Sequence, residues 1–287
     1  MHTHASTRLL SSARPTIQTV ALLILAIFVL PTVSADAPSS MPLPHLAVPM
    51  ATSVPAVDAP LTDPAWSTAA RIDGLSLCVG PQATGVKPIP TQVQLAWTPN
   101  YLFVRFVCRG GDLYAPHGVT HDTPHHAGDV AELFLDPVGD AREFIEIQIN
   151  PVGGVSDTLH LLTTDAISGT DGVLLDAVIS RDMWDLLEWD LRGLRSVSFP
   201  IIDGDRAVGW VASLAIPAAP TLKRLGATQW RAGLTFRANF LRYDQLLNDH
   251  GTRNAICMNW SPVVWGRPHR SPAAMGIVTL IDKSSAP

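Results

Sequence analysis

The chain has 287 residues, of which 47% are hydrophobic and 16% charged, with 20 basic against 25 acidic side chains. That acidic balance excludes nucleic acid or an anionic membrane surface as a partner held by charge. The length allows one large all-β or α/β domain, or two small ones, with a core that needs no staples. Cys78, Cys108 and Cys257 are too few for a disulfide scaffold. They can form one pair with a spare, or sit as three buried small apolar residues.

At the N-terminus, Arg8 and Arg14 precede an unbroken apolar run from Val20 to Leu30, then Val33-Ser34-Ala35. A basic head, an apolar centre of about eleven residues and a small-x-small exit make a secretory signal peptide, residues 1–35. The run falls short of the roughly 20 residues that cross a bilayer, so the mature form has no membrane span. Cleavage after Ala35 gives a secreted or periplasmic chain, and no cysteine follows the cut to carry a lipid. Residues 36–56, rich in Pro, Ala and Ser, read as an extended, poorly ordered lead-in. The folded domain is expected over residues 57–283.

Short β signals with turn residues between them fill that domain. Thr91 to Trp97 alternates, "TPN" turns the chain, and Tyr101 to Cys108 returns as the second arm of a hairpin. "DVAELFLD" is the next strand, and "REFIEIQIN" alternates cleanly. Its Ile145, Ile147 and Ile149 fall on one face, with Phe144, Glu146, Gln148 and Asn150 on the other. "GVLLDAVIS", "RAVGWVASLAIP", "TQWRAGLTFRANF" and "GIVTLID" complete a set of about ten strands. Short helices are expected only around Arg181 to Trp189 and Pro217 to Leu225. The fold class is all-β, an antiparallel β-sandwich of jelly-roll type.

The order of motifs resembles family 9 carbohydrate-binding modules, within the wider DOMON-like sandwiches. "LTDPAWSTAARIDG" is similar to the family's opening Asp-x-x-Trp-x-x-Ala, and "TQVQLAWTPNYLFVRFVC" to its following strand pair. "DVAELFLDP" resembles D-x-x-E-x-F-x-D-P, "FIEIQINPVG" resembles Y-x-E-x-x-x-N-x-x-G, and "GWVASLAIP" resembles G-W-x-x-E-x-A-I-P. "TQWRAGLTFRANF" and "NWSPVVWGRPHRSPAAMGIVTL" match the closing Trp-and-Arg strand and W-S-P segment. The resemblance runs from about Val57 to Asp282. It implies a β-sandwich that binds poly- or oligosaccharide, in some members between two aromatic rings, and a structural Ca²⁺. His126 stands where the sugar-gripping modules carry one tryptophan, and Ser213 replaces the glutamate of G-W-x-x-E.

Sugar recognition needs flat apolar rings and planar polar groups. Trp260 and Trp265 are the platform candidates, with plugging of the sandwich end as the alternative. Trp66, Trp97, Trp210 and Trp230 lie in strand or motif contexts and read as core. Glu132 sits within an apolar strand and must have a partner: an arginine, a cation or a ligand hydroxyl. Arg105 and Arg237 are the candidate arginines, either for a ligand or for an internal ion pair with Glu132. Asn239 shares face parity with Arg237, and Glu146 matches the family motif. The loop carrying His117, His121, Asp122, His125, His126 and Asp129 reads as a transition-metal site through His121 and His125, or as a solvated loop with His126 touching a ligand. Asp122 and Asp129 are the candidate Ca²⁺ ligands.

The expected function is non-catalytic saccharide binding. The alternatives are a glycoside hydrolase or its accessory domain, working through two carboxylates, and a haem- or metal-binding electron-transfer sandwich, for which Met258 is either an axial ligand or simply a buried core residue. Asn259 in "NWS" fits a glycosylation acceptor.

Overall fold

In the computed structural model, residues 42–58, 60–78, 85–110, 112–162, 183–263 and 272–282 are described. Their strands are β1 (His45–Pro49), β2 (Ala70–Asp73), β3 (Ser76–Leu77), β4 (Thr91–Trp97), β5 (Tyr101–Arg109), β6 (Val130–Asp136) and β7 (Glu143–Ile149). There follow β8 (Val155–Leu162), β9 (Met183–Leu186), β10 (Arg195–Asp203), β11 (Arg206–Pro217), β12 (Thr235–Leu247), β13 (Arg253–Asn259) and β14 (Gly276–Ile281). One sheet runs β1-β14-β12-β6-β7-β8-β9, with β13 on β12 and β3 on β13. The other runs β10-β11-β5-β4-β2. The pairing is antiparallel throughout except for β1 beside β14. The expected antiparallel β-sandwich is what forms.

Alternation explains the core. Leu133 and Leu135 of β6 and Ile145, Ile147 and Ile149 of β7 face inward against Val93, Leu95, Val104 and Phe106 of the smaller sheet. Each such side chain stabilises the fold by roughly 1.5–3 kcal/mol. Trp66, Trp97, Trp210 and Trp230 are all buried, as their strand contexts suggested. The Trp97 indole N–H also donates to the carbonyls of Val48 (3.1 Å) and Ile281 (3.2 Å), pinning β1 and β14 to β4.

Several expectations need correction. The lead-in is not wholly unstructured, because its residues 45–49 form β1 in register with Ile277 to Ile281; the ordered sandwich therefore begins before residue 57. Within the expected helix from Arg181 to Trp189, residues 183–186 pair with β8 as β9. The stretch "TQWRAGLTFRANF" is half turn: β12 starts only at Thr235 and continues to Leu247. "GVLLDAVIS" lies outside the described residues. The expected helix near Pro217 is there, as α1 (Ala218–Thr221) and a 3-10 turn over Lys223–Leu225. No helix among the described residues is long and apolar enough to cross a membrane.

Of the two cysteine readings, the pair with a spare holds. Cys78 and Cys257 are disulfide-bonded and Cys108 is a buried free thiol. The disulfide belongs to a second apolar cluster on the outer face of the larger sheet, with Val130, Phe134, Phe144, Leu241 and Tyr243.

Candidate functional site

Period-two geometry sends every second residue of β6, β7, β8 and β12 to that outer face. Glu132 of β6 lies opposite Leu241 and Gln148, and Glu146 of β7 lies opposite Phe134 and Thr158. His160 of β8 is opposite Phe144 on one side and Asp185 of β9 on the other. The result is a polar row laid beside the apolar cluster of that face.

The row is hydrogen-bonded from the sheet edge inward. Asp185 is 2.7 Å from His160 Nδ1, and His160 Nε2 is 2.8 Å from Glu146 Oε2. The Gln148 amide donates to Glu146 Oε1 (2.7 Å) and accepts from the His125 backbone N–H (2.6 Å). The His160 ring stacks on Phe144 with centroids 4.7 Å apart. Burial alone would push the His160 imidazolium down, but its bonds to Asp185 and Glu146 outweigh that and raise it to about 9.

Glu132 stands at the inner end of this row. It is only 1% exposed, and its Oε2 has no hydrogen-bond partner. Burial, and then the neighbouring Glu146 charge, push its carboxyl well above the usual range. An unpaired polar atom in such a place costs roughly 1–3 kcal/mol. Among the described residues no arginine pairs with Glu132, one of the alternatives read from the sequence; the neighbouring charge is another acid.

The other candidate residues disperse. Arg237 and Asn239 share the face but serve the backbone. Arg237 donates to the carbonyls of Gly139 (3.3 Å) and Ala273 (2.7 Å). Asn239 donates to the Ser261 carbonyl and accepts from the Ser261 and Phe240 N–H groups. Arg105 is on the outer face of the opposite sheet, buried 4.1 Å beneath the Trp66 ring, where burial lowers its guanidinium to about 10 against the pull of Asp63. It cannot join Glu132. His126 is exposed on a 3-10 turn (His125–Ala127), and that turn is bolted to the polar row through His125 and Gln148.

Trp265 lies outside the described residues. Trp260, the residue after β13, is partly buried on the main core and packs against Phe240 with ring centroids 5.5 Å apart. Of the two readings of this ring, its packing on the core favours the one that plugs the sandwich end. A Cβ on Gly276 would lie 2.3 Å from that indole. Gly276→Ala is therefore expected to destabilise the protein by about 1–3 kcal/mol and to shift tryptophan emission, read by urea titration and fluorescence. Met258 is wholly buried and its sulfur accepts the Ile89 N–H, so of its two readings the core methionine holds and the axial ligand does not. Asn259 is buried too, closing it as a glycan acceptor in the folded state.

The expected Ca²⁺ pair does not form. Asp129 uses one oxygen on the Tyr114 N–H and the other on the Gln245 N–H, both at 2.8 Å. Burial and the Asp244 charge lift it to about 6. Asp122 instead joins His121, Asp157 and Asp190, whose ligand atoms all fall within 4.8 Å of one another. His125 is not in that group, so the alternative that paired His121 with His125 on a metal does not hold.

Sequence reasoning missed His160, Asp185, Asp157 and Asp190. Each comes from a strand or turn with no motif, and only the β7-β8-β9 register brings the first two together. It also missed Trp184, an indole 65% exposed on β9, because that stretch read as helix.

No protein-family model matches the chain, and no curated protein matches it. Solved structures do. A family 9 carbohydrate-binding module from Caldicellulosiruptor kristjanssonii in complex with cellotriose superposes with a TM-score of 0.55 at 14% identity, covering 84% of this chain and 96% of the module. A putative carbohydrate-binding protein from Bacteroides uniformis gives 0.56 at 14% identity, over 82% and 98%. The same C. kristjanssonii family with glucose gives 0.52 at 13% identity, over 83% and 97%. The chain therefore shares their fold over most of its length.

Proposed function

We propose that this is an exported, non-catalytic protein that binds saccharides on the outer face of its larger sheet, at the polar row ending in Glu132. The observation that carries the reading is the unpartnered Glu132 carboxyl oxygen, buried beside Glu146. Stability alone would favour an apolar residue there, so the group is kept for a ligand hydroxyl. Two further facts support it: structures of this fold hold glucose and cellotriose, and the Cys78–Cys257 disulfide suits an oxidising compartment beyond a signal sequence. Stacking by Trp265 remains part of the proposal from the sequence.

The test is calorimetry with glucose and cellotriose. Glu132→Met removes the carboxyl while keeping its length; affinity falls at least about ten-fold and the melting temperature holds or rises. Because burial favours the neutral acid, Glu132→Gln is its nearest mimic and keeps most of the affinity. Trp265→Ala weakens binding as well. Failure of any saccharide to bind at millimolar concentration ends the proposal.

A hydrolase is the second reading, favoured by one feature: Glu132 with a raised pKa beside a second carboxylate matches an acid–base pair. Both acids rise from one sheet face rather than across a cleft. Glu132→Gln separates the readings, since it would abolish the release of reducing sugar by a hydrolase.

A further inference from the structure

The loop before β6 is fixed against β8 at a point the saccharide proposal does not use. The Asn150 amide donates to the Gly118 carbonyl (2.6 Å), and His121 forms a β-bridge with Val155. This lays the His121 side chain beside Asp157 of β8 and Asp190 of the turn after β9.

His121 Nδ1 is 2.8 Å from Asp122 Oδ1, and its Nε2 is 3.4 Å from Asp157 Oδ1. Asp190 Oδ1 lies 3.9 Å from Nδ1, and the ligand atoms of all four residues fall within 4.8 Å of one another. Asp157 is 1% exposed; one of its oxygens accepts the Leu191 N–H, while Oδ1 has no hydrogen-bond partner. A cavity of about 320 Å³ lined by His121, Asp157 and Asp190 opens over these atoms. In the neutral ring with its Nδ1 proton donated to Asp122, the Nε2 lone pair confronts an Asp157 oxygen that has no hydrogen-bond partner. Two acceptors so placed, one buried, call for a positive centre between them.

We propose that His121, Asp157 and Asp190 bind one divalent cation of the zinc class, with Asp122 orienting the imidazole from behind. One imidazole nitrogen with carboxylate oxygens suits a borderline ion such as Zn²⁺ better than the all-oxygen shell of Ca²⁺. A carboxylate on the far nitrogen is the usual partner of a zinc-bound histidine. The cation cross-links the loop around His121, the start of β8 and the turn at Asp190. It lies apart from Glu132, so it stands or falls independently of saccharide binding.

The full-length mature protein, stripped with chelator and dialysed, is titrated with Zn²⁺, Mn²⁺ and Ca²⁺ by calorimetry and thermal scan. One equivalent of Zn²⁺ binds at least ten-fold more tightly than Ca²⁺, and saturation raises the melting temperature by about 5 °C or more. His121→Ala and Asp157→Asn each weaken Zn²⁺ binding at least ten-fold, while His250→Ala, at an exposed histidine elsewhere, leaves it intact. Asp157→Asn keeps an oxygen for the Leu191 N–H, and His121→Ala alters an exposed side chain, so both fold. The proposal is overturned if no ion binds, if Zn²⁺ binding ignores His121→Ala, or if Ca²⁺ binds as tightly as Zn²⁺. In that case His121 is a protonated bridge among acids, or the carboxylates form an oxygen-only site without it.

Discussion

Replacing both Cys78 and Cys257 with alanine lowers the unfolding free energy by roughly 5 kcal/mol. The bond joins positions 179 residues apart, and the loop-entropy estimate for so long a closure is of that size. For a chain this long, the melting temperature drops by about 10–15 °C. The bond also has a local role, because the Cys78 N–H donates to the Cys257 carbonyl (2.9 Å), extending β3's hold on β13. Beneath it Leu241 and Tyr243 form the apolar part of the proposed binding face, so the loss is felt where ligand binds. Calorimetric scans with and without reductant decide the matter. Reductant should bring the wild-type protein down to the variant and leave the variant unmoved. A wild-type melting temperature indifferent to reductant would show that the bond contributes nothing.

What the sequence made legible follows from burial on two sides. The strands β4, β5, β6, β7 and β14 were readable because their inward positions are unbroken runs of Val, Leu, Ile and Phe. Where polar residues enter the interior the pattern disappears. β12 carries Arg242 and Asp244 on its inner side, joined to each other by an ion pair and to the Thr91 hydroxyl and Arg109 carbonyl. An alternation count therefore ends β12 early. β10, an edge strand paired only with β11 and bulged at Ile201/Ile202, has too few buried residues to announce itself.

The site was legible by half. Glu132 was identified because a charge inside an apolar strand is conspicuous and Glu146 because it matches the family motif, and the structure puts both on one face. Arg105 was misplaced because parity along a strand gives a face but not a sheet: it lies on β5, in the opposite layer from Glu132. His160 and Asp185 were invisible because their bond joins residues 25 apart whose strands pair only through tertiary register.

That pair sets the pH response. Between about pH 6.5 and pH 9 the protein should lose roughly 3 kcal/mol of stability, the equivalent of raising one histidine from 6.5 to about 9. The native state holds the His160 proton more tightly than the unfolded chain does. The contribution is therefore complete below the unfolded value, declines above it, and is gone once pH passes about 9. Two buried acids push the same way. Asp129, lifted from 3.8 to about 6, and Glu132, lifted well above 4.5, also bind protons more tightly in the native state, so stability already slopes downward on the acid side of neutrality. Optimum stability thus lies in mildly acidic solution, unlike a protein whose carboxylates are salt-bridged. Urea titrations at intervals from pH 5 to pH 9.5, on the wild type and His160→Gln, measure it. The variant should lose most of the alkaline slope while keeping the part due to Glu132 and Asp129. An unchanged slope in the variant would mean that His160 is not the charged link joining Asp185 to Glu146, and that Glu146 lacks the cation on which the proposed site's charge balance depends.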